Sequence, residues 1–138
     1  MAVNVAYEPI AGRQKALNVY RQMSIETATP AELVLMLYNQ ALRSMREALD
    51  ALDEKDIQET NRHLQRAQEI VSELRVSLNI PAGGKIAQDL DTMYEYVNRR
   101  LLEANIRKDP ALVADAAKVM GAIRDGWAEA VKSYGSGH

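Results

Sequence analysis

The chain has no cysteine, no phenylalanine, one tryptophan and two histidines in 138 residues. Without cysteine there is no disulfide, no thiolate zinc site and no cysteine nucleophile. A ferritin-like di-metal centre needs two Glu-x-x-His pairs on facing helices. Here the histidines are His63 and His138, and the residue three before His63 is Thr60. Glu59 stands four residues before His63, the spacing of a helical surface pair. Charge of one sign is also lacking: 17 basic against 19 acidic side chains give a net charge of −2. Such a balance supplies no basic surplus to neutralise phosphates, so no nucleic-acid partner is expected. No apolar run reaches membrane-spanning length, so no membrane insertion is expected. The opening "MAVNVAYEPIAGRQK" lacks the basic-then-apolar order of a signal peptide, which makes the cytosol the expected compartment. "PAGGK" misses the first glycine of a phosphate loop, and Ile86 follows Lys85 where Ser or Thr would hold magnesium. No nucleophile, base and oxyanion site come together, so neither an enzyme nor a cofactor is expected.

Leucine, alanine and methionine carry the apolar mass, and 47% hydrophobic with 26% charged residues suits one folded domain of helices. Residues 1–29 hold Pro9, Gly12 and only the short helical pattern "RQKALNVYRQM", which reads as a mobile arm with room for one short helix. Thr29, Pro30 and Glu32 make a capping box with proline at the first helical position, opening a helix to about Leu52. Asp56, with Glu59 three residues on, opens a second helix to about Leu78. "IPAGGK" is the clearest breaker, and a third helix follows from about Lys85 to Arg107. Asp109-Pro110 starts a fourth, to about Tyr134, and the tail at 135–138 reads as disordered. Short turns between long helices predict an antiparallel up-and-down four-helix bundle over residues 30–134, all-α, behind the N-terminal arm.

The core stripes follow the helical period. The first helix offers Val34, Leu37, Tyr38, Ala41, Met45, Ala48 and Leu52, and the second Leu64, Ala67, Val71, Leu74 and Leu78. The third offers Ile86, Leu90, Met93, Tyr94, Val97, Leu101 and Ala104. The fourth offers Val113, Ala116, Met120, Ile123, Trp127, Ala130 and Tyr134. Yet the first helix runs through six apolar residues, Leu33 to Tyr38, which cover its whole circumference. Leu35 and Met36 point away from the stripe, with Leu33 at its shoulder. Tyr96 and Leu102 turn outward on the third helix, Val76 on the second, and Leu112 and Val119 lie at a shoulder of the fourth. An apolar surplus at one helix end marks a partner site or something folded over it. Ile10, Leu17 and Tyr20 of the arm suit that cover, so the expectation is a bundle whose grooves bind another helix or an extended peptide. A homodimer seam is the alternative of similar composition. Arg99-Arg100, with Glu103 within reach of Arg99, Arg100 and Arg107, reads as a solvated face laced with ion pairs.

Those residues resemble the FliS family of flagellin export chaperones from about Tyr7 into the fourth helix. Thr27-Ala28-Thr29-Pro30 followed by Leu35-Met36-Leu37-Tyr38 is similar to the family's Thr-Ala-Ser-Pro turn and "LMLY" helix, with Thr29 keeping the capping hydroxyl. Tyr20 sits where the family has its arm tyrosine. Asn61, Leu64, Ala67, Ile70, Leu74 and Leu78 resemble the second-helix pattern ahead of a Gly-Gly turn. "MYEYVNRRLLEAN" resembles the third helix, with Tyr94, Tyr96, Leu101, Ala104 and Asn105 in place, and Trp127 with Glu129-Ala130 the late Trp motif. The resemblance implies a cytosolic chaperone that binds the disordered C-terminal segment of flagellin without ATP, prevents premature polymerisation and delivers it to the export component FlhA. An anti-sigma factor or another flagellar regulator is a further implied partner, and the protein itself is expected as a monomer or weak homodimer. Together, surplus and resemblance nominate Tyr7, Ile10, Leu17, Tyr20, Leu33, Leu35, Met36, Ile70, Val76, Tyr96, Leu102 and Asn105 as partner-binding residues.

Overall fold

A computed structural model describes residues 29–136, which form four helices: α1 (Pro30–Asp53), α2 (Ile57–Val76), α3 (Ile80–Arg107) and α4 (Pro110–Ser136). Residues 1–28 of the expected arm at 1–29, and the last two residues of the chain, lie outside the described residues. The bundle is all-α among the described residues, as its punctuation predicts. α1 packs against α2 and α4, and α3 packs against the same two, so each helix touches its two neighbours around a square.

Each start is written in local chemistry. The Thr29 N–H donates to Glu32 Oε1 at 2.9 Å while the Glu32 N–H donates to Thr29 Oγ1 at 3.2 Å, the reciprocal capping box. Hydrogen bonds to the Glu32 carboxyl itself, first from the Thr29 backbone N–H and then from the Thr29 hydroxyl, hold it below its ordinary pKa. Asp56 Oδ1 accepts from the Glu59 N–H at 3.1 Å to cap α2. The Glu59 carboxylate leaves that box unfinished and pairs with Arg62 at 2.6 Å.

Two boundaries differ from expectation. Asn79 caps a first helical turn at residues 80–83, its Oδ1 accepting from the Ala82 N–H at 3.3 Å. The chain then kinks at Gly84, whose φ of 60° and ψ of −135° are open to glycine at little cost. The breaker is therefore a kinked helix start, because Pro81 is tolerated in a first turn where its missing N–H has no intrahelical partner to lose. At the other end α4 continues to Ser136, two residues beyond the Tyr134 expected, so Gly135 and Ser136 are helical rather than part of a loose tail.

Backbones of diagonal helices stay apart, and the centre is closed by aromatic side chains. Tyr38 of α1 and Tyr94 of α3, both fully buried, share a hydrogen bond between their hydroxyls across the diagonal. Trp127 of α4 meets Tyr38 edge-on at 5.9 Å, and its indole N–H donates to the Ala31 carbonyl at 2.8 Å. Both tyrosines thus pack in the core with a partnered hydroxyl. Most of the predicted stripe is buried, while Leu52, Leu78, Met93 and Ala130 are half-buried. Ile86 is 41% exposed, because it follows the Gly84 kink and lies at the open edge of α3, and the side chain of Tyr134 is outside the described ones.

Candidate partner-binding groove

The open apolar surface lies between α3 and α4. A groove of about 630 Å³ is walled by Ile86, Leu90 and Met93 on one side and by Val119, Ile123 and Trp127 on the other. Its depth comes from small residues on α4. Ala122, Gly126 and Ala130 follow one another at four-residue spacing, so they form one row along the helix where no long side chain fills the space. A Cβ built on Gly126 would meet nothing within 4 Å. Only Asp115 and Lys118 bring charge to the lining.

A polar cross-link stands at one end of this groove. The Tyr96 hydroxyl donates to Asp115 Oδ2 at 2.5 Å, and Arg100 Nε lies 3.0 Å from that hydroxyl and 2.9 Å from the same carboxylate oxygen. The Arg100 and Arg99 guanidinium carbons sit 5.2 and 5.8 Å from the Tyr96 ring centre. The bond to Tyr96, ahead of the charge of Asp115, raises the Arg100 pKa above its ordinary value. Tyr96 is thus half-buried and engaged across the seam rather than turned freely outward. The basic pair is also wired differently from the spacing argument. Arg99 pairs with Glu95 and Arg100 with Asp115, leaving Glu103 to Arg107.

The structure does not gather the nominated residues on one face. Leu33 is 7% exposed and Ile70 2%, so both belong to the core. The reason is register: Leu33 lies four residues before Leu37, and Ile70 lies between Ala67 and Leu74 on the α2 stripe. Leu35 and Met36 are half-buried and packed against the core. Val76 and Leu102 are exposed at 65% and 52%, on α2 and on α3 outside the groove. Asn105 serves a helix end: its side-chain oxygen accepts from Lys108 Nζ at 2.7 Å and its carbonyl at 2.5 Å, while Lys108 also reaches Asn61 Oδ1 at 2.5 Å. Tyr7, Ile10, Leu17 and Tyr20 lie outside the described residues.

The groove residues had been assigned to core stripes or to a shoulder. The signal that exposes them is the Ala122–Gly126–Ala130 row, which removes the cover from the apolar stripe opposite. His63 is a strut between helices, with Nδ1 3.0 Å from Glu47 and Nε2 3.7 Å from Glu59. Among the described residues no group of three His, Asp or Glu is arranged to hold a metal ion, and no helix is long and apolar enough to cross a membrane.

A four-helix bundle with a shaped apolar trough has the form of the helical modules that take an amphipathic segment in a groove. The family model "Flagellar protein FliS" matches residues 13–134, and the chain belongs to that family. The "Flagellar secretion chaperone FliS" of Bacillus subtilis strain 168 is 37% identical over 129 residues, covering 90% of this chain and 96% of that protein. Its namesake in Escherichia coli K12 is 32% identical over 124 residues, 86% of this chain and 91% of that one. In fold the chain is similar to a solved "flagellar chaperone from bacteria" at a TM-score of 0.71 and 18% identity, covering 87% of this chain and 98% of that one.

Proposed function

We propose that this protein is a flagellar secretion chaperone of the cytosol, not an enzyme, which holds the C-terminal segment of flagellin and passes it to the export component FlhA. The observation that carries the reading is the apolar α3–α4 groove in a chain whose relatives are named flagellar secretion chaperones. A disordered amphipathic segment would fold as its apolar positions enter the groove, with ordering costing about 2–5 kcal/mol of the gross interaction. That cost keeps the hold reversible, which suits a cargo that must be released. Half-buried Leu35 and Met36 extend the contact area on α1, and we propose that the arm bearing Tyr7, Ile10, Leu17 and Tyr20 competes with the cargo for it.

Calorimetric titration with the C-terminal segment of the flagellin from the same genome tests this. One-to-one binding with a large negative heat-capacity change, weakened at least tenfold by Val119→Asp, is the expected result. A folded protein that ignores the segment and scatters light as a dimer makes the groove a self-interface and overturns the reading. Removing the residues before Thr27 should change the on-rate; an unaltered on-rate and affinity would remove the arm from the mechanism.

A further inference from the structure

We infer that the outward face of α1 is a second docking surface, basic in character, for an acidic peptide segment, separate from the α3–α4 groove. α1 lies between α2 and α4, and a cleft opens on each side of it, about 420 Å³ against α2 and about 600 Å³ against α4. The clefts share Gln40 and Arg43, so they form one continuous band across the helix. Five arginines line it, Arg62 and Arg66 from α2, Arg43 and Arg46 from α1, and Arg124 from α4. Three carboxylates line it with them, Glu47, Glu69 and Asp125, and Glu59 reaches Arg62 from the edge at 2.6 Å. In a chain with two more acidic than basic side chains, this local excess of arginine runs against the whole.

The arginines are available. Among the described residues Arg46 and Arg66 are exposed and make no ion pair or hydrogen bond. Arg43 and Arg62 hold Glu47 and Glu59 within their own helices, with guanidinium side chains 67% and 68% exposed. Such exposed pairs contribute little and yield to a better-placed carboxylate. Arg124 Nε donates to Asn39 Oδ1 at 2.6 Å and its Nη1 to Asp125 Oδ1 at 2.8 Å, which fixes its planar fork at the rim of the α4 cleft. An arginine fork takes a carboxylate through two parallel hydrogen bonds, and the side-chain amides of Asn39 and Gln40 can bond the backbone of an extended peptide.

Charge selects the occupant. Residues 1–28 carry Arg13, Lys15 and Arg21 against Glu8 and Glu26, so the chain's own arm is basic and does not complement the band. An acidic peptide satisfies the arginines, and because the band lies on another side of the bundle from the α3–α4 groove, it docks while the groove is full.

The test uses the full chain and a labelled twelve-residue oligo-glutamate peptide in fluorescence anisotropy, with oligo-glutamine and twelve-nucleotide oligo-uridine RNA as comparators. Oligo-glutamate should bind and oligo-glutamine should not, and raising salt from about 50 to 200 mM should weaken the complex several-fold. The double exchange Arg46→Glu and Arg66→Glu should lower its affinity at least tenfold with unchanged helicity and melting. The milder Arg46→Gln with Arg66→Gln gives a smaller loss in the same direction if the first pair disturbs folding. Arg99→Glu, on α3, should change affinity less than about threefold. Equal losses from Arg99→Glu, tighter binding of the RNA, or a dimer that dissociates when Arg46 and Arg66 are reversed would each overturn the proposal.

Discussion

The α1–α2 seam and the α3–α4 seam draw on the same kinds of residue and end differently at the surface. Between α1 and α2, Ala41, Ala48, Leu64 and Ala67 are buried, and long polar side chains rise along the outer edge. His63 reaches Glu47 across that edge at 3.0 Å, so what the seam shows to water is polar. Between α3 and α4 the outer row is Ala122, Gly126 and Ala130, and among the described residues nothing rises to cover Ile86, Met93 and Val119. The apolar stripes are alike; the groove exists because its flank is small. An open groove is thus a property of the residues beside the apolar stripe as much as of the stripe itself.

The largest expected effect tests the closed seam. Leu64→Ala, fully buried between α1 and α2, should cost about 2–5 kcal/mol in denaturant unfolding, through lost burial and the cavity left behind. Ile86→Asp at the open seam should leave stability within about 0.5 kcal/mol and yet lower affinity for the flagellin segment at least tenfold, as read by calorimetry. If Ile86→Asp unfolds the protein, the two seams are not different in kind. Gly84→Ala, forcing a Cβ into positive φ, should cost about 1–2 kcal/mol and shift the start of α3 that carries Ile86.

Filling the flank should close the difference between the seams. Gly126→Ala should stabilise the protein by about 0.5–1 kcal/mol, since a helical glycine with free space at its Cβ is replaced by the best helix former. Gly126→Leu should fill the trough and weaken peptide binding without loss of helicity. The smallest effect concerns the start of α1. Thr29→Ala should cost about 0.5–1 kcal/mol at neutral pH. The Glu32 carboxyl has a depressed pKa in the folded state, so the cap's contribution is complete above its unfolded value and fades as pH falls through the folded one. The melting difference between wild type and Glu32→Gln should therefore shrink as pH falls below the ordinary carboxylate range.

The helices were legible because caps and periodicity are local. Thr29 with Glu32, Asp56 with Glu59, and Asp109 ahead of Pro110 act within one turn, and so can be read from neighbours in the chain. Asp109 Oδ1 indeed accepts from the Ala111 N–H at 2.9 Å. Misreadings arose where local spacing is silent about what lies opposite. Tyr96 was turned outward because it falls off the stripe, but Asp115, nineteen residues on, receives its hydroxyl. Spacing alone also does not show that Lys108 joins Asn105 to Asn61 in a helix-end clasp.

What the chain determines by itself is the number of helices, their caps and most of the core, since each depends on residues no more than a turn or two apart. Its family, too, is legible in the ordered set of motifs from the Thr29 turn to Trp127. Which apolar stripe stays open, and which arginines of three helices meet across α1, was decided by tertiary structure. The groove joins residues such as Ile86 and Gly126, 40 positions apart, and the band residues such as Arg46 and Arg124, 78 apart, and only the packing of the bundle sets what faces what.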